Sequence, residues 1–128
     1  MNVTSQKLPD EPIVVMTILG SSAESGDPEQ GGRQLYSILD RVSEPVFLIL
    51  DVSKAEIDLD EILHGASSAY RGSNPIFRHP NIRQILQVSD NPAFEMAARG
   101  LNSEAFGSVK VELFHTLKEA LEYARTAL

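Results

Sequence analysis

The chain has 128 residues, 42% hydrophobic and 23% charged, which is the balance of one globular domain large enough to bury a core without staples. A net charge of −7 argues against nucleic-acid binding, because a polyanion is gripped by a basic footprint that releases counterions. The absence of cysteine removes disulfides, thiolate metal sites and cysteine nucleophiles, which suits a reducing cytoplasm, and every apolar stretch falls well short of the ~18 residues of a membrane span.

In chain order, the N-terminus carries no apolar segment behind positive charge, so no signal peptide is expected. Residues 1–12 read as a flexible polar tail ahead of a domain over 13–128. Ile13 to Leu19 is β-rich and closed by Gly20, which predicts a first strand. A small-residue connection follows. Gly31 and Gly32 would each cost about 1 kcal/mol inside a helix, so the helix is placed at Arg33 to Ser43, with Leu35, Ile38, Leu39 and Val42 on one face.

Pro45 to Ser53 is an apolar run that stops at Asp51 and reads as a central strand buried on both faces, as in a parallel sheet covered by helices. Asp58 is placed to cap a helix whose Leu59, Ile62, Leu63, Ala66 and Tyr70 share a side. Arg71 to Pro80, with two prolines and a glycine, breaks it. Ile82 to Val88 alternates as a strand nearer an edge, with its Arg83 and Gln87 side partly exposed. Asn91-Pro92 opens a helix that turns Phe94 and Leu101 inward. Val109 to Phe114 alternates again, and the capping box Thr116-Leu117-Lys118-Glu119 starts the last helix. The pattern is βαβαβαβα: a single α/β domain with a four-stranded, mostly parallel sheet and helices packed against it.

In such sheets ligands and partners are met beyond the carboxyl ends of the strands, which makes Asp51 and the segment after it the candidate edge. Asp51 and Ser53 could orient a ligand there, or simply hold a turn. Asp58, Asp60 and Glu61 form an acidic first turn that the helix dipole already favours. Tyr70, Arg71, Phe77, Arg78 and His79 lie in a proline-constrained loop of an acidic chain, suited to an acidic peptide, a phosphate or an apolar ligand, or to plugging the core. His64, His79 and His115 share no metal-ligand spacing, and no G-x-S-x-G elbow or phosphate-loop signature is present. No catalytic residue, metal or cofactor is expected.

Strand, glycine turn, helix, a strand ending Leu50-Asp51-Val52-Ser53, a capped helix, strand, helix and then Leu113-Phe114-His115-Thr116-Leu117-Lys118-Glu119-Ala120-Leu121 together resemble the STAS domain and SpoIIAA-like proteins, among them the anti-sigma-factor antagonists. In those antagonists the central strand ends in an Asp-Leu-Ser-like turn, and an Asp-Ser-Ser-Gly motif opens the next helix with the phosphorylated serine. Asp51-Val52-Ser53 matches the turn and Asp58 the leading aspartate, while Leu59-Asp60-Glu61 stands in place of Ser-Ser-Gly. The acceptor serine is missing, so the resemblance implies no kinase-driven switch. It implies a cytoplasmic, non-catalytic regulatory module that binds a protein partner or a second copy through Asp51, Ser53, Asp58, Asp60, Tyr70, Arg71, Phe77 and Arg78. The alternative is a carrier that holds a small apolar ligand or lipid between the sheet and the 70–80 loop.

Overall fold

The computed structural model describes residues 2–21, 26, 29–56, 79–101 and 111–127. Five strands form one sheet in the order of the chain: β1 (Asn2–Lys7), β2 (Ile13–Gly20), β3 (Val46–Ala55), β4 (Ile82–Val88) and β5 (Val111–Phe114). β1 runs antiparallel to β2, and every other pairing is parallel. The helices among the described residues are α1 (Gln30–Arg41), α2 (Pro92–Leu101) and α3 (Leu117–Thr126).

The sheet is therefore five-stranded and mixed, not four-stranded, and residues 2–7 are not a tail. β1 contributes one buried apolar side chain, Val3, which is why its sequence reads as polar. Its neighbours supply the rest. The Ser5 hydroxyl, almost fully buried, donates to the Gly31 carbonyl at 2.7 Å, and the Ser5 N–H donates to Gln34 Oε1 at 2.8 Å. A side chain of α1 thus satisfies a backbone donor of the edge strand.

Helix α1 begins earlier than its glycines suggest and contains both of them. At Gly31 a Cβ would overlap the Val3 side chain, so glycine is what lets α1 lie directly on β1. Leu35 and Leu39 face the sheet, as their spacing predicts.

Val46 to Leu50 of β3 are all buried, with alternate residues serving opposite faces. Leu48 and Leu50 join Val14, Ile85 and Val111 beneath Leu35 and Leu39 of α1. Phe47 and Ile49 join Ile13, Leu86 and Val88 against Ala120 and Ala124 of α3. The register carries one apolar row across four strands, Val14 to Leu48 to Ile85 to Val111. Each such side chain contributes about 1.5–3 kcal/mol through burial.

β4 is flanked by β3 and β5 and is not an edge. Ile85 and Gln87, expected on a half-exposed side, are buried, and Gln87 Nε2 donates to the Phe94 carbonyl of α2 at 2.9 Å. Burial of that amide costs little because it is bonded. Arg83 remains at the surface, 4.9 Å over the Phe47 ring and donating to the Ala127 carbonyl. Both helix starts follow the sequence: Asn91 Oδ1 accepts from Ala93 N, and Thr116 Oγ1 accepts from Glu119 N. Ile18 shares a face with Met16, and Gln87 with Ile85, so Phe94, which packs with Ile18 and Val52, places α2 on the α1 side of the sheet. α3 lies on the other side.

Candidate functional site

The carboxyl end of β3 does not stop at Asp51. It runs on to Ala55 along β2, with Thr17 opposite Asp51 and Leu19 opposite Lys54, so β3 carries one more residue than β2 between those two pairs. That is a β-bulge, which leaves a backbone N–H without a ladder partner. Asp51 supplies the partner. Its Oδ1 accepts from Ser53 N at 3.2 Å and from Ser53 Oγ at 2.6 Å. Val52 is turned inward between them and packs on Phe94 and Ile18. The bulge closes with Glu56 N donating to the Gly20 carbonyl at 2.8 Å.

The structure thus brings Asp51 and Ser53 together, with Ser53 exposed at the edge that the chain topology marks. Because the Ser53 proton is committed to Asp51, the hydroxyl presents lone pairs outward, and the second carboxylate oxygen adds an anionic acceptor. This pair suits recognition of donors such as backbone amides or cationic side chains. Among the described residues no histidine hydrogen-bonds Ser53, so no nucleophile–base relay is formed there. Asp58, Asp60, Tyr70, Arg71, Phe77 and Arg78 lie outside the described residues, as does the loop-bounded space expected to hold an apolar ligand.

A second feature of the same edge escaped sequence reasoning. His115 follows β5 and Asp90 follows β4, and His115 Nδ1 stands 2.7 Å from Asp90 Oδ1. Ser89 N donates to the Phe114 carbonyl, tying the same two turns through the backbone. The hydrogen bond that His115 donates to Asp90 holds the His115 pKa above its ordinary value, with the Asp90 charge adding to it. The available signal was positional, since each residue lies within two positions of a strand's carboxyl end; metal-ligand spacing was the wrong test.

His79 belongs to the opposite end of the sheet. Its Nδ1 accepts from Asn81 N at 3.1 Å, which leaves the proton on Nε2, 3.4 Å from Asp40 Oδ1. Asn81 Nδ2 donates to the Leu39 carbonyl, and Tyr36 stands edge-on to the imidazole. Burial, with Asp40 nearby, raises the Tyr36 pKa. With both nitrogens committed, His79 is a strut that fixes the entry to β4 against α1. At this amino end a groove of about 560 Å³ runs between the β1–β2 turn and the end of α1, floored by Ile38, Val42 and Val46 and rimmed by Lys7, Arg41 and Glu44.

Among the described residues no group of three histidine or acidic side chains is placed to hold a metal ion, and no helix is long and apolar enough to cross a membrane.

Sheet order, helix placement and the edge after β3 define an α/β domain with a SpoIIAA-like fold. The structure is similar to that of an uncharacterised protein of the DUF3478 family from Shewanella loihica PV-4, described as having a SpoIIAA-like fold: TM-score 0.58 and 16% identity, over 95% of this chain and 91% of that one. No family model matches the sequence, and no curated protein matches it.

Proposed function

We propose that the chain is a non-catalytic regulatory module of the STAS-like type that acts by binding a protein through the carboxyl edge of its sheet. The observation that carries this reading is the Asp51–Ser53 bulge, a pre-ordered pair of acceptors where β3 leaves its pairing with β4, with Ser53 exposed. A pre-ordered surface loses less entropy on binding than a mobile one. The acidic Asp58 and Asp60 continue the chain from this edge, and the cationic Arg71 and Arg78 with Tyr70 and Phe77 follow in sequence, so the module offers both signs of charge to a partner. It works in the reducing cytoplasm without a phospho-acceptor serine at 59–61, and so without a kinase switch at that position.

The test is affinity capture with the immobilised full chain, followed by binding measurements on what is recovered. Ser53→Ala keeps the carboxylate and the bulge N–H bond, and it is expected to lower partner binding while leaving the melting temperature nearly unchanged. Ile49→Ala, by contrast, opens a core cavity and costs about 2–5 kcal/mol. Partner binding that is indifferent to Ser53→Ala, Asp58→Asn and Asp60→Asn alike removes the edge from the mechanism. A ligand mass that survives purification, seen by native mass spectrometry and lost on denaturation, would favour the carrier.

A further inference from the structure

Among the described residues, the sheet face that carries α3 is covered unevenly. α3 packs over Phe47, Ile49, Leu86 and Val88, towards the middle of the sheet. On the same face, alternation and register set Asn2, Thr4 and Gln6 of β1 beside Leu19, Thr17 and Val15 of β2. The bulge adds Asp51 beside Thr17 and Lys54 beside Leu19. Asn2, Thr4, Gln6 and Lys54 are exposed, and Leu19, a large apolar side chain near the carboxyl end of β2, is 42% exposed. Among the described residues, charge on this patch is limited to the Asp51 carboxylate and the Lys54 ammonium, although the whole chain stands at −7. Lys54 forms no ion pair among the described residues.

We infer that this open half of the sheet docks a second copy of the chain about a two-fold axis. The inference rests on the interaction-module reading and names one partner of its edge. Two acidic copies repel over most of their surfaces, and a patch that is neutral in sum is where they can meet. A two-fold axis makes the patch face itself, so it must be self-complementary. Asp51 and Lys54 meet that requirement: the Lys54 ammonium lies opposite the partner's Asp51, and the relation repeats by symmetry. Leu19 is removed from water between the two pairs, and the short Thr4 and Thr17 side chains allow the sheets to approach closely. Affinity is modest, because the patch is a fraction of a standard interface of about 800 Å² per partner.

Sedimentation velocity of the full chain from micromolar to near-millimolar concentration tests this. The wild type should pass from monomer to dimer, while Leu19→Lys and Thr4→Lys stay monomeric over the same range with an unchanged circular dichroism spectrum. Lys54→Glu should weaken association by about tenfold, and added salt should weaken the wild type in the same direction. A wild type that is monomeric throughout, or a dimer that survives both Leu19→Lys and Thr4→Lys, overturns the inference. If the monomeric chain instead holds a different protein, displaced by Ser53→Ala, the second copy is excluded while the interaction module stands. Failure of both measurements removes both.

Discussion

Two adjacent glycines in α1 show how differently neighbouring residues can be constrained. At Gly31 a Cβ would overlap Val3, whereas at Gly32 nothing lies within 4 Å. Gly31→Ala should therefore push β1 off the helix and cost about 1–3 kcal/mol. Gly32→Ala should stabilise the protein by up to about 1 kcal/mol through helix propensity and a less flexible unfolded chain. Urea unfolding of the two variants checks the opposite signs. The sequence shows two equal helix breakers here, because the strand that requires one of them is far away in the chain. Asp51 and Ser53 were legible in a similar partial way. Their position after an apolar run marked the edge, but the bulge that unites them depends on β2 falling one residue short between Thr17 and Leu19, and no local pattern in β3 encodes that.

Among the elements, those with an unambiguous period or cap were readable. β3 is a continuous apolar run, α2 opens on Asn-Pro, and α3 opens on Thr116 with Glu119 three residues on. β1 was not readable, since Asn2 to Lys7 has a single apolar residue and its inward Ser5 is satisfied only by α1. The depth of β4 was missed for the same reason, because Gln87 looks like a surface residue until the Phe94 carbonyl is placed beside it. The role of β1 has a direct test. Deleting residues 1–7 would leave the melting temperature unchanged if they were a tail; as a strand covering Met16 and Ile18 of β2 on one side and α1 on the other, their loss should lower it by many degrees and expose the β2 edge to aggregation. Differential scanning fluorimetry with light scattering reads both effects.

Across the whole molecule, the far ends of the chain are tied by one bidentate contact. Arg125 of α3 donates from Nε to Glu11 Oε1 at 2.8 Å and from Nη2 to Oε2 at 3.3 Å, joining residues 114 apart in sequence. The hydrogen bonds from Arg125 hold the Glu11 pKa below the usual carboxylate range. A folded value below the unfolded one stabilises above the unfolded value and is lost as pH falls through the folded one. The difference in melting temperature between wild type and Glu11→Gln should accordingly be small but present at neutral pH, and should close below the ordinary carboxylate range. The α/β class and the mostly parallel centre were legible because buried parallel strands advertise themselves, whereas strand count and the mixed edge depended on pairing that sequence does not display. The order of that pairing bears on how the protein is made. Since each strand lies beside its predecessor in the chain, the sheet can be assembled in the order of synthesis, each strand adding to a finished edge as it leaves the ribosome. The face bearing Ile13, Phe47, Ile49 and Leu86 has to wait, because α3, which packs on it, follows all five strands in the chain. A nascent chain halted before Leu117 would hold all five strands with α3 still missing from that apolar face, the state in which a chaperone is most needed and a second nascent copy most hazardous.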